Sequence, residues 1–270
     1  MTGLPSVSSE PAGTLTVACV QYEAVEGVAD NVVQHVRLIE DADAHGARLV
    51  LFPELSLTGY RLDLLSLDES WIDPADARLR PLREICRRTG ITAVVGAPCR
   101  DADGSPRLAS LVLHPDGSTE RAFKSHLHGH EKELFEPGDG PHVMVLDGWR
   151  IALALCFDAA VPEHASAAAA GGADAYCVSG LYTRGEERRL DLHLGARAMD
   201  HRMFTLLANL GGRTPIGESC GLSGIWSPDG MPLKRAAGNR TEVVSGLLQR
   251  STLLRYRHGG PVSGGGRRDI

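Results

Sequence analysis

The sequence predicts a single α/β domain, and two features carry that prediction. Short apolar runs typical of buried strands recur along the chain, for example at residues 14–20 and 48–52. Segments of helical periodicity separate such runs, and in the first of these Val32, Val36 and Ile39 are spaced four and three residues apart. With 270 residues and neither a linker nor a repeat, the chain can bury one large core.

The later elements follow from the same periodicities and from residues that end helices or make turns. Gly46 and Gly90 can cap the first two helices, and the Pro and Asp-Gly of segment 114–117 suit a hairpin turn. The further predicted strands are residues 91–97, 108–113, 119–123, 151–155, 175–178, 203–208, 222–226 and 242–248, and the further predicted helices are residues 74–89, 162–170 and 187–201.

Charge and hydropathy argue against two classes of partner. The formal net charge of −6 and the pI near 6.0 argue against nucleic acid, which usually meets a basic protein face. No apolar run approaches the ~20 residues needed to span a bilayer. The first residues also lack the basic and apolar regions of a signal peptide. We therefore expect a cytoplasmic protein that binds neither nucleic acid nor membrane.

The cysteines and the two chain ends complete this outline. Six cysteines form no C-x-x-C pair, so we predict reduced thiols rather than a disulfide framework. Residues 1–13 are polar and residues 258–270 are Gly-rich, which predicts disordered tails at both ends. The folded domain is therefore predicted to span residues 14–257.

Two reactive side chains directly follow predicted strands. Cys156 lies where a buried strand ends and a helix is about to begin, so nearby backbone N–H groups and the helix dipole would favour its thiolate. Glu54 follows an apolar strand and Pro53, and apolar neighbours would raise its pKa toward that of a general base. Taken singly, the cysteine also fits a small buried hydrophobe, and the glutamate fits a surface residue that opens a turn.

A third polar segment follows the strand that ends at Phe123. Lys124 could supply a fixed positive charge to an oxyanion, or it could be a solvated strand end. His126, His128 and His130 raise the question of a metal site. They share one loop with no cysteine and no helical H-x-x-x-H spacing, so no metal is predicted.

A serine hydrolase is a competing interpretation, because Gly217, Ser219 and Gly221 match G-x-S-x-G. That motif requires a strand before the serine and a helix after it. Residues 214–216 include a proline, and a Pro-Asp-Gly turn soon follows, so the context does not support a serine nucleophile.

Together the three segments resemble the nitrilase superfamily of carbon–nitrogen hydrolases. That family has the patterns P-E-x-x-x-[ST]-G-Y, then K-x-H-L followed by E-x-x-x-F-x-P-G, then C-[YF]-D-x-x-x-P-E. The matching residues are Pro53, Glu54, Thr58, Gly59 and Tyr60; Lys124, His126, Leu127, Glu131, Phe135, Pro137 and Gly138; and Cys156, Phe157, Asp158, Pro162 and Glu163. The likeness spans residues 14–250, with weaker matches at residues 196–200 and 221–230.

The resemblance implies a four-layer α-β-β-α sandwich that forms a homodimer or larger assembly. It also implies a cysteine hydrolase that cleaves the C–N bond of a small amide or carbamoyl amide through a thioester, without a cofactor. The implied catalytic residues are Cys156 as nucleophile, Glu54 as base, Lys124 as oxyanion stabiliser and Glu131 as an orienting carboxylate. The N–H of Phe157 would be a second oxyanion donor, and we expect Tyr60 to bind substrate.

The chain also departs from the family pattern. Asp200 stands where glutamate is usual, Ser219 stands where an aromatic often precedes the glycine motif, and residues 181–195 lack the His-Trp pair of many small-amide members. Phe157-Asp158 resembles amidase-type members, whereas nitrilases typically carry Trp-Glu. The alternatives are a nitrilase, a thioester-based N-acyltransferase and a non-catalytic interaction module of the same fold.

Overall fold

A computed structural model describes residues 13–259 of the chain. Its strands are β1 (Thr14–Gln21), β2 (Leu49–Leu51), β3 (Thr92–Arg100), β4 (Pro106–Leu113), β5 (Thr119–Phe123), β6 (His142–Leu146), β7 (Trp149–Leu155), β8 (Ala175–Gly180), β9 (Phe204–Asn209), β10 (Arg213–Thr214), β11 (Gly217–Glu218), β12 (Gly224–Trp226), β13 (Pro232–Arg235) and β14 (Glu242–Gln249). Its α-helices are α1 (Val28–Ala44), α2 (Arg80–Thr89), α3 (Glu131–Leu134), α4 (Pro162–Ala170), α5 (Glu187–His201) and α6 (Arg250–His258).

The strands form two six-stranded sheets of similar construction. The first has the order β14-β1-β2-β3-β4-β5 and the second β13-β12-β9-β8-β7-β6, while β10 and β11 form a separate hairpin. In each sheet three central strands run parallel, β1-β2-β3 and β7-β8-β9, and antiparallel strands flank them. The carboxyl ends of parallel strands share one edge of a sheet, which is where α/β proteins place their sites.

Alternating side chains of the strands build the layers. Val17 and Cys19 of β1 enter a core shared with residues of the second sheet, whereas Ala18 and Val20 pack on the helix side. The helix-side core of the first sheet includes residues of α1 and α2, and that of the second sheet includes residues of α4 and α5. The order of layers is therefore α-β-β-α, which confirms the predicted fold class.

Most predicted elements are present, and the second helix is the clearest difference. It was predicted from residue 74 but begins at Arg80, after a 3-10 turn at Ala77–Leu79. The Asp76 side chain accepts a hydrogen bond from Arg78 N at 2.8 Å. The 3-10 turn therefore has its own N-terminal cap, separate from the start of the α-helix. Pro81 then occupies the first turn of the α-helix, where its missing N–H costs nothing.

The predicted tails lie almost entirely outside the described residues, so the domain limits stay a prediction. His258, which falls in the predicted C-terminal tail, is the last residue of α6. Within residues 13–259, no helix is both long enough and apolar enough to cross a membrane.

Candidate active site

Cys156 follows β7 in a strained backbone conformation. Its φ is 45°, a left-handed value that non-glycine residues rarely adopt and that occurs at functional sites. A 3-10 turn at Cys156–Ala160 separates β7 from α4. The Sγ atom lies 3.6 Å from the carbonyl oxygen of Leu181, and the side chain is only partly buried. The turn thus presents the thiol to the space beyond the strand ends.

Glu54 follows β2 and is fully buried. The turn that carries it packs directly on β3, because a Cβ atom at Gly96 would lie 2.3 Å from both Leu55 N and Pro53 O. Only glycine permits that approach. Glu54 therefore reaches the edge where Cys156 lies through a close contact between turn and strand.

Lys124 joins two carboxylates below the protein surface. Its Nζ atom donates to Glu54 Oε1 at 2.8 Å and to Glu131 Oε1 at 2.7 Å, and all three side chains are buried. Two further donors fix Glu131: the Tyr60 hydroxyl at 2.6 Å from Oε1 and His128 N at 2.8 Å from Oε2. Predicted residues from two of the three segments therefore meet in one hydrogen-bonded cluster.

The cluster sets the protonation of its members. Burial raises the pKa of Glu54 to about 7, although the positive charge of Lys124 opposes that rise. Burial also acts to lower the pKa of Lys124, but the charges of Glu54, Cys156 and Glu131 outweigh it, so the net pKa is raised. The ammonium group therefore stays protonated, and Glu54 can accept or hold a proton near neutral pH.

The pKa of the Cys156 thiol contradicts the expectation that its turn favours the thiolate. Burial raises the pKa of Cys156, and the charge of Glu54 raises it further, while Lys124 only partly compensates. A neutral thiol needs a base to remove its proton. Glu54 Oε2 is buried and has no hydrogen-bond partner among the described residues, so one carboxylate oxygen is free to act as an acceptor.

A cavity of about 130 Å³ connects these groups. Its lining consists of Glu54, Tyr60, Lys124, His128, Glu131, Cys156, Phe157, Ala160, Leu181, Tyr182, Glu186, Arg189, His193 and Ile216. Every predicted site residue is among them. The residues that α5 and Leu181–Tyr182 contribute were not predicted, because they carry no motif and reach the cavity only through the tertiary fold.

The three histidines of the Lys124 loop do not converge. His126 Nδ1 lies 2.9 Å from Asp158 Oδ1, the His128 ring stacks on Phe157 with centroids 4.6 Å apart, and His130 pairs with Glu133 at 2.9 Å. The three rings thus contact different neighbours, an arrangement unlike the shared coordination sphere of a metal.

Ser219 is fully buried beside the β10–β11 hairpin. Its hydroxyl contacts the carbonyl oxygens of Leu210 and Tyr182, and it accepts a hydrogen bond from Gly221 N at 2.9 Å. No helix follows it before β12, and it does not line the cavity. This local structure differs from the exposed turn that a serine nucleophile requires.

Asp158 links the cysteine turn to the lysine loop, a function that its motif match did not reveal. Oδ2 accepts from Leu155 N at 3.0 Å, just before Cys156, and Oδ1 accepts from His126 N at 2.8 Å, shortly after Lys124. The carboxylate is fully buried. It therefore fixes the relative position of two chain segments that sequence places 32 residues apart.

We expect Asp158→Asn to lower kcat about 10- to 100-fold while KM changes little. An amide has one acceptor oxygen, so its nitrogen would face a buried N–H donor, at a cost of about 1–3 kcal/mol. Asp174→Asn is the matched control, since Asp174 is also buried and accepts Arg150 N at 3.1 Å, but its partners Arg150, Arg250 and Arg257 do not line the cavity. If Asp158→Asn lowered only the melting temperature, as the control should, the carboxylate would serve stability alone.

The fold, with its two facing sheets, agrees with the comparisons. The carbon–nitrogen hydrolase family model matches residues 16–258. The chain therefore belongs to the carbon–nitrogen hydrolase family, which is the nitrilase superfamily of the sequence prediction.

Three similar proteins illustrate the range of the family. A nitrilase from Pyrococcus abyssi is 31% identical over 211 residues, which cover 77% of this chain and 79% of the nitrilase. The structure of Saccharomyces cerevisiae Nit3 matches with a TM-score of 0.84 at 21% identity, covering 94% of this chain and 97% of Nit3. A mutant amidase from Nesterenkonia sp. AN1 matches with a TM-score of 0.80 at 26% identity, covering 92% and 96%, and carries the acetamide moiety of fluoroacetamide at its active site cysteine.

Proposed function

We propose that the protein hydrolyses the C–N bond of a small carboxamide or carbamoyl amide through a thioester on Cys156. The observation that supports this most is the buried Lys124 between Glu54 and Glu131, in the same cavity as the Cys156 thiol. This combination offers a nucleophile, a base with a pKa near 7 and a fixed cation, and it needs no cofactor.

In the first half-reaction, Glu54 takes the thiol proton as Sγ of Cys156 attacks the amide carbon. Lys124 Nζ and the Phe157 N–H stabilise the oxyanion, and losing one such donor typically costs about 3–4 kcal/mol. The tetrahedral intermediate then expels the amine, which takes the proton from Glu54. Ammonia or an amine leaves, and the acyl group stays on sulfur as a thioester.

In the second half-reaction, Glu54 deprotonates a water molecule that attacks the thioester carbon. The oxyanion forms at the same donors, and its collapse breaks the C–S bond. The sulfur recovers the proton from Glu54, and the carboxylic acid is released. Glu131 orients Lys124 throughout, because Tyr60 and His128 N hold it in place.

The substrate class can be tested with matched amides and nitriles that carry the same side chain. We expect the amide to show the higher kcat/KM, because a tetrahedral oxyanion fits two donors, whereas a nitrile places its developing charge on nitrogen. Ammonia release from each member of several pairs is the measurement. A higher kcat/KM for the nitriles would identify a nitrilase, the activity named for the Pyrococcus abyssi relative.

A homodimer in the cytoplasm belongs to the same proposal. Leu192 and Met199 of α5 are 58% and 48% exposed, and nearby Met231 is 63% exposed, so this apolar face would be covered by a second copy. The location is supported by six cysteines that all remain free thiols.

Light scattering at micromolar concentration should give twice the monomer mass or more, and Leu192→Glu should reduce it. Leu247→Glu is the matched control, since Leu247 is 48% exposed on β14, in the other sheet. A wild-type protein that is active as a strict monomer would contradict the dimer.

A further inference from the structure

The backbone that carries Glu54 is held by side chains that lie outside the cavity. Residues 52–57, which directly follow β2, are called the base turn below. Within it Leu55 has a φ of 51°, a left-handed value that is unfavourable for a residue with a Cβ atom. Such a conformation persists only where the surrounding structure fixes it. The contacts that fix the base turn therefore decide where Glu54 is placed.

Ser179 of β8 joins the base turn to the strand that carries the thiol. Ser179 is 1% exposed, and its hydroxyl donates to the carbonyl oxygen of Phe52 at 2.8 Å, from the second sheet to the end of a strand of the first. In its own sheet Ser179 pairs with Leu155, the residue before Cys156. A single side chain thus connects the backbone two residues before Glu54 to the backbone next to the thiol.

His35 of α1 supports the base turn from the helix side. Its side chain is fully buried, and the ring stacks on Phe52 with centroids 4.0 Å apart. Nδ1 lies 2.7 Å from the Asn31 carbonyl oxygen, and Nε2 lies 2.9 Å from Ser56 Oγ. Burial lowers the pKa of the imidazole to about 3, so the ring is neutral.

The direction of each hydrogen bond around this ring follows from its partners. A carbonyl oxygen can only accept, so the one ring proton of neutral His35 lies on Nδ1, and Nε2 accepts from the Ser56 hydroxyl. The Ser56 oxygen in turn accepts from Gly96 N at 3.1 Å, and the Gly96 carbonyl oxygen accepts from Leu57 N at 3.0 Å. The base turn is therefore tied both to α1 and to β3.

We propose that Ser179 and His35 are positioning residues for the general base. Lys124 holds one carboxylate oxygen of Glu54. Ser179 and His35 hold the backbone from which that side chain extends, so that the second oxygen reaches the Cys156 thiol. Neither residue lines the cavity, so neither would contact a substrate. The proposal rests on the amide hydrolase function proposed above and adds the residues that set the distance between base and nucleophile.

Ser179→Ala should slow the acylation of Cys156 about tenfold or more, with substrate affinity changed less than threefold. The variant releases the Phe52 carbonyl, and small displacements of a reacting group reduce rates steeply. Single-turnover kinetics with an activated amide measure the step. Thr205→Val is the matched control, since Thr205 is fully buried on the neighbouring strand β9 and donates to the Leu194 carbonyl oxygen at 2.9 Å. It should lower the melting temperature by a similar amount without the loss of rate.

His35→Phe keeps a ring that can stack on Phe52 but lacks both ring nitrogens, so it should also slow acylation about tenfold. His35→Gln keeps a donor and an acceptor on its amide and should retain more of the rate. Ser56→Ala tests the same hydrogen bond from its other end and should match His35→Phe. The double variant of His35→Phe with Ser56→Ala should be no slower than either single variant, because both remove one interaction.

The same variants in a Glu54→Gln background separate positioning from general stability. Once the carboxylate is replaced, its placement no longer matters, so Ser179→Ala and His35→Phe should slow the residual acylation less than twofold further. The full additional loss in that background overturns the proposal, as does a wild-type acylation rate in either single variant, and both results leave the amidase function intact. If the wild-type enzyme turns over no amide in a broad panel, the proposed function itself has failed, and this inference fails with it.

Discussion

Cys156→Ala is expected to lower kcat for amide hydrolysis by at least about 10⁴-fold, because a methyl group cannot form the acyl–enzyme bond. The fold should persist, since Cys156 is partly exposed and its thiol makes a hydrogen bond to the Leu181 carbonyl oxygen that contributes little to stability. Ammonia release measures activity, and thermal unfolding by circular dichroism checks the fold.

The control for that variant is Cys220→Ala. Cys220 is also partly exposed, but it lies outside the cavity that contains Cys156. Cys220→Ala should retain near wild-type activity and should still be inactivated by iodoacetamide. Cys156→Ala should lack the alkylation that causes this inactivation. Activity of Cys156→Ala within tenfold of wild type would refute the nucleophile assignment.

Glu54→Gln is expected to reduce the rate of thiol acylation by about 10²- to 10⁴-fold, the usual contribution of a positioned general base. The amide preserves the size of the side chain and can still accept a hydrogen bond from Lys124. It cannot take the proton of a thiol whose own pKa is raised by burial. Single-turnover kinetics with an activated amide measure the step directly.

The pH profile gives a second result for the same variant. A base must be deprotonated to act, and the pKa of Glu54 is raised to about 7, so wild-type kcat/KM should rise between pH 5 and 8 and level off above. Glu54→Gln should lose that ascending limb. Glu133→Gln, which changes an exposed carboxylate of helix α3, should keep it. An unchanged limb in Glu54→Gln would assign the titration to another group.

Sequence could indicate Glu54, Lys124 and Cys156 through the three motifs that resemble the nitrilase superfamily, because the strand ends alone left a structural alternative open for each residue. The ends of β2, β5 and β7 are local features, and the residue types there have few chemical uses in combination. The position at which these three side chains come together is not a local feature of the sequence. It depends on how two sheets pack face to face, which strand periodicity does not determine.

Helix α6 and strands β13 and β6 were not predicted, because their sequences show little apolar periodicity. Helix α6 buries only Leu253, and β13 has the polar sequence Pro-Leu-Lys-Arg, so neither shows a marked apolar periodicity. Strand β6 is an edge strand with Val145 61% exposed. Strands β6 and β13 each pair with the strand next to them in the chain, β7 and β12, so they need little apolar surface of their own.

The supporting residues of the site were also beyond sequence reasoning. Asp158 matched a motif, but the N–H groups that it accepts come from segments joined only in the fold. Arg189 and His193 belong to an amphipathic helix where charged residues usually face solvent. Only the position of α5 against the strand ends gives them a place in the cavity.

The most direct test of the mechanism is mass spectrometry of the enzyme quenched by acid during turnover of an amide. We predict an added acyl mass that peptide mapping places on Cys156, that hydroxylamine removes, and that is absent from Cys156→Ala. An enzyme that releases ammonia at the wild-type rate without any adduct on Cys156, or with the acyl group on another residue, would contradict the account.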